Sequence, residues 1–497
     1  MASISVIVFT SGEAAVCTAL FLLAVAVRLL FLAGTVDRDL PFSIFYYGDS
    51  RIFREFALAL MRGETFDQGL PLHPPAFAYV LSWVIARVGE RPTAVRAILS
   101  ILGATVAPLT YLLGRMFWDR SVAAAGALLA AFSFGLCVVS VAANTETIYI
   151  PLLVAQALLL VLLGDALAAH PSKSVVVLAT ANGIIVGLAA LTRAEHLGLV
   201  VLLPIALAIG WPLVPRRRVA VAATVIAGAA VLVLLPWSIK THGALTRINA
   251  GTPGPAEPLP TWVAASGTGP LVFALANNSR ADGTFKPEAV VERMGLGRFD
   301  LQDPAQVDLY LRGYRRGWSF LLGQPVAGAS LLLDKLDLAS DAHALGFGLS
   351  NWPGGLTGTR RPVDIFTPDF NLWKPVCWIL LAAGIWVSRP ILRRGAILWL
   401  VMAYGVLVTL AAFGYARLFL QSAPILFLFQ AAAIVGLASR ARRPRTIALA
   451  GAALVLALTL ELAEAAAHPR NFRATGTVDP VTGKLVQDAA VSLEPVP

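Results

Sequence analysis

"YYGDSRIFREFALALMRG", residues 46–63, follows closely on the first apolar run of the chain, and its reading decides what kind of protein this is. Over 51–62 the residues Ile52, Phe53, Phe56, Leu60 and Met61 share one side of a helix, with Arg51, Arg54, Glu55 and Arg62 elsewhere. Such a segment lies along a membrane surface and does not cross it. An acid, Asp49, stands just ahead of it. Asp is favoured as a helix N-cap, but a carboxylate held at a membrane interface is also placed to take a proton from a substrate. The rest of the chain decides between these readings.

Hydrophobic residues make up 57% of the 497 and charged residues 14%. Soluble domains carry about 25% charged residues, so the composition is that of a polytopic membrane protein. A spanning helix needs about 20 mostly apolar residues. Spans are expected near 14–34, 94–114, 121–141, 146–168, 174–192, 195–213, 219–239, 371–388, 396–413, 418–438 and 446–466, about eleven in all. The first is read as a retained helix, because it has neither a basic leader nor a small-residue cleavage site. The run 76–89 is too short to span and is expected to lie at the interface. Cys17, Cys137 and Cys377 sit in or beside apolar runs, with no disulfide framework and no metal-ligand spacing.

The net charge of +10 is carried mostly by arginine. Arg115 with Arg120, Lys173, Arg216 to Arg218, Arg389 with Arg393 and Arg394, and Arg440 to Arg445 all fall between spans so that a cytoplasmic N-terminus puts every cluster inside. Residues 35–93 and 240–370 then face outward. Four regions follow: an N-terminal transmembrane module, 1–239, that includes the first outer loop; an extracytoplasmic segment, 240–370; further spans over 371–466; and a loosely ordered polar tail, 467–497.

On this topology Asp49, His73, Asn144, Glu146, Arg193, Glu195, His196, Lys335 and Arg417 share the outer face. Each has an ordinary reading: a helix cap for Asp49, an electrostatic complement to a helix N-terminus for Glu146, snorkelling for Arg193, Arg417 and Lys335. Arg28, inside the first span, is left unassigned. Ionisable groups at membrane depth are costly and mark functional sites, and so many at one leaflet fit a site for a charged lipid headgroup.

The order of these features resembles the GT-C class of membrane glycosyltransferases, in the branch of the protein O-mannosyltransferases and lipid A aminoarabinose transferases. The matching pieces are "GDSRIFREFALALMRGETF", "LHPPAFAYVLSWVIARVG", "NTETIYIPLLVAQALLL" and "GIIVGLAALTRAEHLGLVVLLP", over about residues 10–215, with weaker echoes in "QPVAGASLLLDKL" and "YARLFLQSAPILFLF". The resemblance implies an all-α fold with interfacial helices in the first outer loop. It also implies transfer of a sugar from a polyprenyl-phosphate donor to an acceptor hydroxyl at the outer face. Arginine far outnumbering lysine, with abundant alanine, points to a GC-rich bacterial genome and so to a bacterial inner membrane with the outer face in the periplasm. Asp49 then stands as catalytic base and Glu146 as the second acid of the site. His73, before Pro74-Pro75, and Arg417 face the donor phosphate, with Arg193 and Lys335 as further cations. Many relatives have a second acid after the base, where this chain has Ser50. One base and a good leaving group suffice for a single inverting displacement, and no cofactor is expected, a divalent metal remaining an open alternative. A transporter or flippase of a lipid-linked sugar is the rival reading; it predicts inverted repeats and a midplane site, and the sequence has no such repeat.

Overall fold

The computed structural model describes residues 11–35, 38–43, 47–169, 172–284, 299–344, 373–414, 416–440, 476–478 and 485–487. Within them the chain is helical except for a short antiparallel strand pair, β1 (Gly476–Val478) with β2 (Leu485–Gln487), in which Gly476 faces Gln487. The polar tail, expected to be loosely ordered, therefore holds a strand pair. The span expected at 446–466 lies outside the described residues, as do residues 345–372.

Helix α1 (Ser11–Gly34) opens the membrane bundle. Two short amphipathic helices follow, α2 (Tyr47–Met61) and α3 (Ala76–Val88), in the first loop. The chain then enters α4 (Pro92–Ala104) and α5 (Val106–Arg115), which together make one apolar span. Next come α6 (Arg120–Phe132) and α7 (Phe134–Val141), bent by 49° at Ser133. Long apolar helices α8 (Glu146–Ala169) and α9 (Ser172–Thr192) follow. Helix α10 (Leu199–Gly210) returns, and α11 (Arg216–Asn249) runs 34 residues, unbroken through 239 and 240. Helices α12 (Gly269–Ala276), α13 (Pro304–Gly323) and α14 (Pro325–Ala344) belong to the segment that follows α11. The bundle closes with α15 (Trp373–Val387), α16 (Ala396–Ala411), α17 (Ala416–Leu420) and α18 (Ala423–Arg440).

Ten of the eleven expected spans thus coincide with helices. Among the described residues, five helices are long and apolar enough to cross a bilayer, six if the bent pair counts as one span, while α10, α15, α16 and α18 are shorter apolar helices. The two ends of the bundle differ. At one end Arg115 Nε meets Glu13 Oε1 at 3.3 Å, and Arg120 donates to the Gly12 carbonyl at 3.0 Å. Arg394, at the same end, pairs with Asp165 at 2.6 Å and donates to the Met116 carbonyl at 3.3 Å. At the other end Arg193, just after α9, meets Glu146 at the start of α8.

The first loop folds because its apolar side is buried. Phe53, Phe56, Ala57 and Ala59 of α2 pack on Phe77, Leu81, Val84 and Ile85 of α3. Met61, expected on that face, is exposed, because the helix ends there and its side chain turns outward. Arg28, unassigned from sequence, is fully buried and donates to Ser140 Oγ at 3.3 Å and to the carbonyls of Ala24 and Ala131 at 3.3 and 3.5 Å. The Ala131 carbonyl lies at the α6–α7 bend, where the helical hydrogen bonding is interrupted, so the buried arginine supplies donors to a break in the membrane helix.

Gly183 and Gly187 of α9, four apart, let α11 come close, as small-residue pairs do between membrane helices. A methyl group on Gly183 would stand 2.6 Å from the Ala229 Cβ, and one on Gly187 2.5 Å from the Val233 Cβ. Gly228, on α11, has nothing within 4 Å of its own Cβ position. Gly183→Val is therefore expected to cost about 1–3 kcal/mol of stability by overpacking. Gly228→Ala is expected to leave thermal unfolding in detergent unchanged or to raise it slightly. Equal melting temperatures for the two variants would refute the close α9–α11 contact.

Candidate functional site

Four chain segments deliver ionisable groups to the end of the bundle occupied by the first loop. Asp49 lies in the first turn of α2, where the exposed backbone N–H groups favour a negative charge. Its carboxylate is not only a helix complement, because it forms an ion pair with the Arg417 guanidinium of α17. Glu146, the first residue of α8, has a fully buried side chain. Its Oε1 receives Arg193 as a close ion pair and lies 3.8 Å from Arg417 Nε, while Oε2 accepts from Thr145 Oγ1 at 3.1 Å. Arg193 follows α9 directly. It also grips Glu195 and rests over the Tyr149 ring at 5.5 Å.

The result is an alternating row of charges, Asp49–Arg417–Glu146–Arg193–Glu195. A buried carboxylate is tolerated only when paired and hydrogen-bonded, and Glu146 meets that condition through two guanidiniums and a hydroxyl. The exposures differ sharply: the Glu146 side chain is 0% exposed and that of Asp49 is 39%. Of the two acids that meet Arg417, Asp49 is thus the one that a bound molecule can reach. Burial alone would push its carboxyl up, but Arg417 beside it, with His73 and Arg193 further off, holds it below the usual carboxylate range. Arg193 loses stabilisation as a cation through burial, and the flanking Glu195 and Glu146 more than restore it.

His73 sits in the stretch ahead of α3. Its ring Nδ1 and its backbone N–H both meet Asp67 Oδ2, each at 2.9 Å. Asp67 opens a 3-10 turn, Asp67–Gly69, with φ +53°, in the left-handed region. The segment after α11 clamps the same stretch: the Gly267 amide donates to the Pro71 carbonyl at 2.7 Å, and Ser266 Oγ donates to the Leu72 carbonyl at 2.5 Å. Burial pulls the His73 imidazole toward neutrality, and the hydrogen bond and charge of Asp67, with Asp49 beyond, raise it above the ordinary histidine value.

Of the residues expected from sequence, the structure brings together Asp49, Glu146, Arg193 and Arg417 by ion pairs, with His73 within electrostatic reach of Asp49. Lys335 is elsewhere. Its ammonium is fully buried and donates to Asn277 Oδ1 and to the Leu410 carbonyl, both at 2.9 Å. Burial lowers it to about 7. Those bonds tie α14 and α12 to the end of α16, shortly before Arg417. Asn144 is buried, with its side-chain amide unpaired, and His196 meets the Tyr149 hydroxyl at 3.2 Å. Asp67 and Tyr149 were not singled out from sequence. The Asp-x-Gly turn signature of "FDQGLPLHPP" was available for Asp67, but a turn signature does not say which side chain will meet the histidine.

The fold has solved counterparts. The chain superposes on the archaeal oligosaccharyltransferase AglB from Archaeoglobus fulgidus, in complex with an inhibitory peptide and a dolichol-phosphate, at a TM-score of 0.50 and 16% identity. The match covers 91% of this chain and 54% of that one. The apo oligosaccharyltransferase from the same organism gives a TM-score of 0.50 at 14% identity, over 91% and 54% of the two chains. The chain has the GT-C fold. It spans about half the length of these oligosaccharyltransferases. ArnT from Cupriavidus metallidurans, bound to undecaprenyl phosphate, aligns over 84% of this chain and 78% of its own at 15% identity. Its TM-score of 0.34 is too low to argue from. No protein-family model and no curated protein matches the chain. Within the GT-C fold, the row of charges stands where the interfacial loop meets the bundle.

Removing the carboxylate at the centre of that row leaves two guanidiniums facing each other. Glu146→Ala is expected to destabilise the protein by about 3–5 kcal/mol, as for other broken buried ion pairs. Glu257→Ala, which breaks a half-exposed pair with Arg312 at 2.7 Å, is expected to cost at most about 1 kcal/mol. Thermal unfolding of both variants checks this, and a Glu146→Ala protein as stable as wild type would contradict the buried network.

Proposed function

We propose that the chain is a glycosyltransferase that takes a sugar from a polyprenyl-phosphate donor and passes it to an acceptor hydroxyl at the outer membrane face. The observation that carries this reading is the pairing of one reachable carboxylate, Asp49, with the Arg417 guanidinium, beside a buried carboxylate, Glu146, that holds Arg193 and lies near Arg417 as well. A hydroxyl is a weak nucleophile at neutral pH, and a positioned general base contributes about 10²–10⁴-fold. A phosphate leaving group gathers negative charge as its bond to the sugar breaks, and preorganised cations stabilise that charge.

The step is written with Asp49 as base. Asp49 takes the acceptor proton while the acceptor oxygen attacks the anomeric carbon. The bond from that carbon to the phosphate oxygen breaks, and the phosphate leaves with the electron pair. One displacement inverts the anomeric carbon. A retaining route needs a second carboxylate as nucleophile, and Glu146, enclosed by Arg193, Arg417 and Thr145, is not available for it. We therefore assign Glu146 the positioning of the two arginines. Arg417 has a double duty. Paired with Asp49 it keeps the carboxylate ionised but weakly basic; a donor phosphate competing for the same guanidinium restores the basicity of Asp49 once the donor is bound.

A cavity of about 560 Å³ supports a lipid-linked donor. It runs between α14, α15 and α16, lined by Trp378, Leu381, Trp399, Met402 and Val406, and by Phe419, two residues beyond Arg417. Its lining is overwhelmingly apolar, as an isoprenoid chain requires. The arginines at the opposite end of the bundle favour that end as cytoplasmic, which puts the site outside. We keep 240–370 as the outer segment; its first residues complete α11, and its Ser266 and Gly267 brace the first loop.

A deletion strain complemented with wild type or Asp49→Asn, its glycans and glycolipids compared by mass spectrometry, tests the proposal. Wild type is expected to restore one sugar-bearing product. Asp49→Asn, at equal expression, is expected to lower it by at least about 10²-fold. Full restoration by Asp49→Asn would remove Asp49 as base. Accumulation of a lipid-linked sugar on the inner face, with no acceptor affected, would favour a transporter.

A further inference from the structure

His73 is the weakest cation of the site, since an ordinary imidazole is mostly neutral above its pKa of about 6.5. Its surroundings are built to change that. Asp67 Oδ2 engages both the backbone N–H and the ring Nδ1 of His73, at 2.9 Å each. The Asp67 side chain is only 3% exposed and the His73 ring 34%. The carboxylate is therefore shielded from water while the imidazole is reachable. With Nδ1 turned to Asp67, Nε2 is the ring nitrogen left to meet a ligand; it makes no hydrogen bond to any described residue.

The aromatic rings around His73 hold the imidazole in place. Its ring centroid lies 5.3 Å from that of Phe56 and 6.0 Å from that of Phe53. Phe56 in turn stacks on Phe66 at 4.8 Å, and Phe66 on Trp237 of α11 at 6.0 Å. The charged groups that act on the ring are Asp67 from the 3-10 turn and Asp49 from α2. Arg417 and Arg193 act on Asp49. The other cations nearby are engaged elsewhere. Lys240 of α11 lies against Tyr79 and the Trp237 ring, Arg87 of α3 over Trp83, and on α2 Arg51 pairs with Glu55 and Arg54 with Glu90.

We infer that Asp67 is a positioning residue that fixes His73 with Nε2–H directed to a lipid-linked phosphate and keeps it protonated there, so that donor binding is lost as pH rises through the titration of this one histidine. The inference rests on the donor proposed above. Asp67, and not His73 alone, then sets the pH at which the site loses a positive charge. The sign follows from the pair. The cationic ring is favoured by Asp67, so the contribution is complete at acid pH and disappears on the alkaline side. Asp49, held below its ordinary range, stays ionised through that whole window.

The test uses full-length protein in nanodiscs, with undecaprenyl phosphate as probe, and its affinity measured from about pH 5 to about pH 9, the span across which a histidine changes charge. For wild type the affinity is expected to fall on the alkaline side. Asp67→Asn keeps the size and an acceptor for Nδ1–H but removes the charge, and the loss is expected to move down by about 1–3 pH units. At the wild-type midpoint this appears as an affinity loss of about fivefold for a shift of one unit and of about 500-fold for a shift of three. Asp67→Glu, which keeps the charge, is expected to return the midpoint toward wild type, and His73→Lys to flatten the profile. Inorganic phosphate in the same titration is expected to follow the same midpoints, with far weaker affinity because it has no chain. An Asp67→Asn profile that overlays wild type would overturn the inference and leave the donor reading intact. Loss of binding at every pH in both Asp67→Asn and Asp67→Glu would also overturn it, by making Asp67 a folding residue. Absence of binding by wild type at any pH would overturn the donor reading itself, and this inference with it.

Discussion

The buried Glu146 carboxylate is the constraint on which the site depends. It stands at the start of α8, where the helix dipole favours a negative charge, and no solvent reaches it. Such a charge persists only with partners. Arg193 from the end of α9 and Arg417 from α17 supply them, together with the Thr145 hydroxyl. Three parts of the bundle, distant in sequence, are thereby tied at one point. The same guanidinium that reaches Glu146 also reaches Asp49 in the first loop, so the interfacial helix is locked to the membrane bundle through electrostatics as well as through packing.

Packing supplies the rest of the positioning. The α2–α3 pair buries its own aromatic face and needs no bilayer-crossing length to be stable. The segment after α11 closes over it. Ser266 and Gly267 hold the carbonyls just ahead of His73, and the Trp237 ring stacks on Phe66. Lys335, buried among Asn277 and the Leu410 carbonyl, fastens α14 to the chain that leads into Arg417. Its place is in the support of the site, one layer behind the row of charges.

Division of labour between the two carboxylates follows from their exposure. The enclosed one holds two guanidiniums, and the other stays partly open to solvent. A surface-only arrangement would leave both solvated and equally basic; a core-only arrangement would admit no substrate. The junction of α2 with the start of α8 offers both environments side by side. That is the physical reason for a short amphipathic segment at this position in a GT-C fold.

Hydropathy alone located ten of the helices, because a bilayer demands long apolar runs and fully satisfied backbones. The arginine clusters separated the two ends of the bundle, and the order of Asp49, His73, Glu146 and Arg193 along the chain pointed to one face of the membrane. Side-chain pairing was not legible. Nothing in the spacing of Asp49 and Arg417 announces an ion pair across most of the chain, and nothing in "FDQGLPLHPP" says that Asp67 turns back onto His73. Whether Glu146 is reachable, and whether Lys335 joins the site or supports it, are questions of burial. Periodicity and composition record which residues avoid water; only the tertiary structure decided which charges meet, because pairing depends on distances between helices that the chain visits far apart in sequence.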